Sequence, residues 1–184
     1  MRRITTRQLT FAAMFAALAV VLSIFPFTFY LPSGSRITFR EIPIYLCSFS
    51  LGPVFGGICA AIADLIGTLI TNSGKPWDPL FFLNAVLTGV LPGVLFRYVF
   101  RRKEKTIYFV SSIVPVNILV SWFLSTLWLH VNPVYSPAYG YIPLWAHLLT
   151  RLLLVAALTV VQITAVRLLY PVVQRGIQWE EHNK

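Results

Sequence analysis

Polar residues punctuate this chain rather than alternate with its apolar ones. Long apolar runs extend from about Gln8 to Tyr30, Glu41 to Gly52, Val54 to Thr71, Pro79 to Phe100, Ile107 to His130 and Leu144 to Val173. Between them lie loop signals: Pro32-Ser33-Gly34-Ser35, the Gly52-Pro53 step, Asn72-Ser73-Gly74-Lys75-Pro76, the basic run from Arg101 to Lys105, and a Pro-, Tyr- and Gly-rich stretch from Val131 to Pro143. A membrane-spanning helix needs about 20 apolar residues to cross a hydrocarbon core about 30 Å thick. Every run except the second meets that length. The second is stopped by Gly52-Pro53, because proline cannot continue the helical hydrogen-bond ladder, and it reads as a tilted or partly re-entrant helix. The runs are continuous and lack the period-two alternation of a lipid-facing strand, so they predict helices rather than a barrel. The first run exceeds a signal-peptide core and reads as a retained helix. The expectation is an all-α integral membrane protein, one domain over residues 1–184, with six transmembrane helices and a substrate pocket near the outer face.

Composition agrees with that picture. Hydrophobic residues make up 57% of the 184 residues and charged residues only 11%, against about 25% charged in a soluble domain. Cys47 and Cys59 both fall in apolar runs and read as buried, inert thiols. The net charge of +9 would suit nucleic acid, but its placement explains it differently. With six spans both termini share a side, and Arg2, Arg3, Arg7, the 101–105 cluster, Arg175 and Lys184 then all lie on it. Positive residues favour the cytoplasmic side, which puts both termini in the cytoplasm.

Arg36, Arg40, Lys75 and Arg151 fall on the opposite, outer side, with Glu41 and Asp78 as the acidic residues available there. Arg151 lies inside the sixth run, where an arginine costs roughly 2.5–3.5 kcal/mol to insert and therefore faces a cavity or a partner. The surplus cations fit either lipid head groups or an anionic ligand, which arginine can hold in two parallel hydrogen bonds. Trp77, Trp128, Tyr135, Tyr139, Tyr141 and Trp145 crowd the same side, as an interfacial belt or as an aromatic cup. Asn84, Asn117, His147 and Gln162 could read a ligand or bond neighbouring helices, and Asp64 within the third run calls for a partner. Arg36, Arg40, Lys75, Asn84, Trp128, His147 and Arg151 are the candidate substrate-binding residues. Ala12, Ala13, Ala16 and Ala17 form a small-residue stripe suited to close helix approach, either within the bundle or against a partner protein. A second stripe follows in the third run, at Gly56, Gly57, Ala60, Ala61, Ala63 and Gly67. The chain lacks a phosphate-binding Gly-x-x-x-x-Gly-Lys-Ser/Thr loop, a His-Glu-x-x-His pair and a Gly-x-Ser-x-Gly elbow, and its three histidines are scattered. Neither an enzyme, a metal site nor a cofactor is expected.

The segments Arg36-Ile-Thr-Phe-Arg-Glu-Ile-Pro43, Leu51-Gly-Pro-Val-Phe-Gly-Gly57 and Ala63-Asp-Leu-Ile-Gly67, after the alanine stripe, resemble the substrate-binding S components of energy-coupling factor (ECF) vitamin transporters. Their order and spacing cover nearly the whole chain. Ser125-Thr-Leu-Trp-Leu129, with Arg151 and Val161-Gln162 downstream, looks most like the folate-specific branch. That branch commonly has Asn at the position of Ser125 and Gly at that of Thr38, and a Pro-Gly-Phe-Thr-Leu segment where this chain reads Asp78-Pro-Leu-Phe-Phe-Leu-Asn84. Pantothenate and pyridoxine-type S components share the Gly-Pro and Asp-Leu-Ile-Gly features. The resemblance implies capture of folate, or of another anionic vitamin, in the outer half of a bacterial cell membrane. It also implies association with a transmembrane T component and a pair of ATPases, with the alanines of the first span meeting the T component. A non-transport membrane scaffold is the competing reading, though a scaffold has no need of Arg151 within a span.

Overall fold

The computed structural model describes residues 5–24, 29–30, 36–71, 78–101, 105–131 and 143–182. Its helices are α1 (Thr6–Ser23), α2 (Glu41–Ser50), α3 (Pro53–Thr71), α4 (Pro79–Val94), α5 (Thr106–Val116), α6 (Ser125–Val131) and α7 (Leu144–His182). A π-helical turn, Leu95–Val99, prolongs α4, and a π-helical stretch, Asn117–Leu124, joins α5 to α6 in one rod. Five of the resulting helical rods are long and apolar enough to cross a membrane. The sixth, α2, has 10 residues and spans about 15 Å, half the hydrocarbon core. The end of the bundle that holds the start of α1, the α2–α3 turn and the end of α7 is called basal here, and the opposite end apical.

Local chemistry sets the helix ends. Thr5 and Gln8 form a capping box, each side chain accepting from the other's backbone N–H at 3.4 Å, so α1 starts two residues before the expected Gln8. It stops at Ser23 instead of Tyr30. Ile24 is already extended (φ −96, ψ 155), two residues ahead of Pro26. Proline disfavours helix at the residue before it and offers no N–H, which overrides the continued apolar run. Phe29–Tyr30 instead forms β1, antiparallel to β2 at Arg36–Ile37. Gly52 turns the chain between α2 and α3 with φ +120, and Pro53 begins α3, where its missing N–H costs nothing. Asp78 caps α4 by accepting from Leu80 N at 2.9 Å.

Small residues let the helices of the N-terminal half close on one another. A Cβ added at Gly56 would lie 2.5 Å from the Gly89 carbonyl oxygen, so α3 and α4 touch backbone to backbone. Ser48 of α2 donates to that same Gly89 oxygen at 2.6 Å. The glycine-alanine stripe of α3 is therefore largely internal: Ala60 and Ala63 are buried, and Gly67 packs on Ser23. The alanine stripe of α1 divides. Ala12 and Ala16 are buried with Phe15 and Ala19, whereas Ala13 and Ala17 are exposed on the opposite face. Ala12 and Ala16 consequently pack the bundle, and Ala13 and Ala17 are the part of the stripe open at the surface. Cys47 and Cys59 are free thiols in the core.

The basal half is closed by aromatic rings. Phe96 stands 4.8 Å from Phe49, 5.0 Å from Phe109 and 5.9 Å from Tyr170, centroid to centroid, which ties α2, the π turn after α4, α5 and α7 together.

Candidate ligand-binding site

The rod α5–α6 carries proline and a wide turn just where the polar groups begin. Pro115 lies inside α5, and the π-helical stretch opens two residues later at Asn117. Without an N–H at 115 and with the ring crowding the carbonyl four residues earlier, the backbone regains its bonds by local rearrangement. Asn117 N–H is shared between the Ile113 and Val114 carbonyls, and Ser125 N–H closes the stretch on Val120 O. Such π segments recur at functional sites, because they turn side chains and carbonyls off the regular helical rows.

A polar seam runs from this rod to α7. At mid-height Asn117 is saturated: it accepts from the Tyr45 hydroxyl at 2.7 Å and donates to Thr159 and Gln162 at 2.9 and 2.7 Å. Asn117 and Gln162, which read equally as ligand groups or as glue, hold helices together. One level higher, the Trp122 indole N–H donates to Leu148 O at 2.8 Å. At the apical level Arg151 Nη1 donates to the Thr126 hydroxyl at 2.9 Å, and Nη2 to Ser121 O at 3.5 Å. Arg151 thus turns its charge to the bundle, as the insertion cost required.

Two further candidates meet the same segment. Asn84 of α4 is buried, and its amide donates to Ser125 Oγ at 3.5 Å. Its carbonyl oxygen and the Trp128 indole N–H are buried without a hydrogen-bond partner among the described residues. An unsatisfied buried polar atom costs about 1–3 kcal/mol, so each of these two groups would be stabilised by a polar partner. Asn84 and Arg151 therefore both bond the segment 121–126 of this rod, and Trp128 follows in its next turn. Trp145, by contrast, is exposed on the first turn of α7.

Arg40 belongs elsewhere. Its Nη1 lies 2.8 Å from Asp64 Oδ1 and its Nε 3.5 Å from Glu41 Oε1, and Thr38 donates to the same Glu41 carboxylate at 3.1 Å. Its guanidinium is held by two carboxylates, and Asp64 has found the partner its burial demanded. Because α2 is short, Arg40 sits level with the middle of α3 instead of on an apical rim. The side chains of Arg36 and His147, and all of Lys75, lie outside the described residues, as do Trp77 and Tyr135, Tyr139 and Tyr141. Thr126, Trp122 and Ser121 are not among the residues the sequence singles out for binding: Thr126 enters only as part of the segment Ser125-Thr-Leu-Trp-Leu129, and a hydroxyl and an indole within an apolar run resemble ordinary helix packing.

A family profile described as "ECF transporter, substrate-specific component" matches residues 7–170. The folate transporter FolT of Clostridium novyi (strain NT) is 29% identical over 96 residues, covering 52% of this chain and 54% of that protein. The folate transporter FolT of Leuconostoc mesenteroides is 28% identical over 132 residues, 69% of this chain and 65% of that one. The riboflavin transporter RibU of Staphylococcus aureus (strain TCH60) is 26% identical over 122 residues, 66% and 62% of the two chains. The chain thus spans between about half and two thirds of the length of these curated relatives. Among solved structures, a crystal structure of FolT bound with folic acid superposes with a TM-score of 0.72 at 26% identity, covering 91% of this chain and 94% of that one. The S component of a bacterial ECF transporter gives 0.64 at 22% identity, over 92% and 98%, a likeness of fold.

Proposed function

The chain belongs to the substrate-specific components of ECF transporters, a family of membrane transport subunits and not of enzymes, and from that premise we propose that it captures folate at the apical face for import. The observation that carries the reading is Arg151, held in the apical half by Thr126 and Ser121 on the rod that also meets Asn84, with the Asn84 carbonyl and the Trp128 indole buried without a hydrogen-bond partner among the described residues. Folate suits these groups: a flat pterin presents donors and acceptors along its edge, and its glutamyl end carries two carboxylates for basic residues. Arg36, Lys75 and His147 remain further candidates from the sequence, since basic and imidazole groups suit a carboxylate-bearing ligand. The FolT relatives and the folic-acid-bound FolT neighbour support this choice over other anionic vitamins such as pantothenate or a pyridoxine-like compound.

The apical face is the outer one. The basic residues of the basal end, Arg7, Arg97, Arg101, Lys105, Arg167 and Arg175, support this orientation, with both termini in the cytoplasm of a bacterial cell, because positive residues favour the cytoplasmic side. There the protein meets a T component and a pair of ATPases, with the exposed Ala13 and Ala17 face of α1 as the docking surface. Purification from cells, denaturation and mass spectrometry of the released small molecule tests the ligand, followed by titration of the emptied protein with folate and with pantothenate. Release of folate and preferential binding of it are expected; release of a different vitamin overturns the choice.

A further inference from the structure

Arg151 is aimed by the neighbouring rod rather than by its own helix. Thr126 is completely buried, and its single hydroxyl proton is directed to the Trp122 carbonyl. With that proton committed, the oxygen's lone pairs face outward from the rod, and Arg151 Nη1 donates to them at 2.9 Å. The Trp122 backbone that fixes the hydroxyl is itself tied to α7, since its indole N–H donates to Leu148 O at 2.8 Å. Leu148 and Arg151 are three residues apart and so lie on one face of α7. The Ser121 carbonyl, within the π-helical stretch, takes Nη2 at 3.5 Å. Two acceptors on two nitrogens fix the plane of the guanidinium as well as its place.

Back-bonding of a threonine to the carbonyl four residues earlier is ordinary in helices. What is not ordinary is that a charged side chain from another helix lands on the same oxygen. We propose that Thr126 is a positioning residue for ligand binding: it holds Arg151 in the orientation that grips the ligand's anionic group, so that the arginine's side-chain freedom is lost on folding and not on binding. The inference rests on the reading of Arg151 as a ligand-binding residue.

A double-mutant cycle with folate as the probe, by isothermal titration of purified full-length protein, tests it. Thr126→Val is expected to weaken folate binding roughly three- to ten-fold, the loss of one orienting hydrogen bond. Thr126→Ser, which keeps the hydroxyl, should bind within about two-fold of the parent on the same scale. In the Arg151→Ala background Thr126→Val should change nothing, because the side chain it orients is gone. If the valine variant does not fold, Thr126→Ala carries the same comparison with less bulk. An equal loss in both backgrounds, no loss in the parent, or a serine variant as weak as valine overturns the proposal. A parent that does not bind folate, or an Arg151→Ala variant that binds as well as the parent, overturns the ligand reading itself, and this inference with it.

Discussion

The Arg40 guanidinium and the Asp64 carboxylate meet at 2.8 Å, joining the residue that precedes α2 to the twelfth residue of α3. Both side chains are largely shielded, and Glu41 takes a second edge of the arginine at 3.5 Å. The pair fastens the chain that descends from β2 against α3 within the height of the bundle. It also removes Arg40 from the surplus of apical cations and leaves Arg151, among the described residues, as the arginine that meets the polar segment 121–126.

Breaking that pair should destabilise the protein without a direct effect on ligand contacts. Removing one partner of a buried ion pair leaves an uncompensated charge and typically costs about 3–5 kcal/mol. Arg40→Ala and Asp64→Ala are each expected to lower the unfolding temperature of the detergent-solubilised protein clearly. The double variant should lose less than the sum. Independent, additive losses would mean that the two side chains are not coupled.

Arg151→Ala should weaken folate binding by a few hundred-fold, because truncating one partner of a desolvated, charge-assisted hydrogen bond costs about 2–5 kcal/mol. Arg151→Lys should recover part of this, since lysine keeps the charge but not the planar fork. Titration calorimetry of the three proteins provides the comparison. A lysine variant equal to the parent would show that only charge is read.

The divided alanine stripe makes two opposite expectations on one helix. Ala13→Trp and Ala17→Trp add bulk to the exposed face of α1 and should leave folate binding by the isolated protein intact while abolishing uptake. Ala12→Trp and Ala16→Trp force a ring into the packed face, where each alanine is under a tenth exposed, and should compromise folding itself. Binding and uptake measured side by side on all four decide this. Normal uptake by the Ala13 and Ala17 variants would place the docking face elsewhere.

Gly56→Ala should be costly although alanine is the better helix former. The new methyl would meet the Gly89 carbonyl and Ser48, and overpacking of this kind costs about 1–3 kcal/mol. Gly176→Ala, where nothing lies within 4 Å, should be neutral or slightly stabilising. Thermal unfolding of the two variants against the parent is the measurement.

Topology is open to single-cysteine labelling of intact cells, with Cys47 and Cys59 protected by burial. An impermeant thiol reagent should modify a Ser136→Cys variant and spare a Lys103→Cys variant. The reverse result would invert the orientation and move the ligand site to the cytoplasmic face.

Some of this was decided by the amino-acid order alone. Helices that cross a bilayer must satisfy every backbone polar group internally, so long apolar runs and the breaks between them declare the spans without reference to any partner. Arg151 declared an inward-facing charge for the same reason: lipid makes the alternative too expensive. The inward face of most helices was not legible. In water an apolar stripe points to the core, but here both core and solvent are apolar, and α7 is hydrophobic almost all round while only Thr159, Gln162, Val166 and Tyr170 of its central stretch are buried. Which alanines of α1 pack inward, and which remain free, was undetermined on the same ground. The end of α1 depended on Pro26 and on strand pairing with residues several positions away, a contest between propensity and contact that a hydropathy pattern does not register. The partners of the charges were decided by the tertiary structure alone. Arg40 and Asp64 lie 24 positions apart and Thr126 and Arg151 lie 25, and only the packing of short α2 on α3, and of the π-helical rod on α7, brings each pair within hydrogen-bond reach.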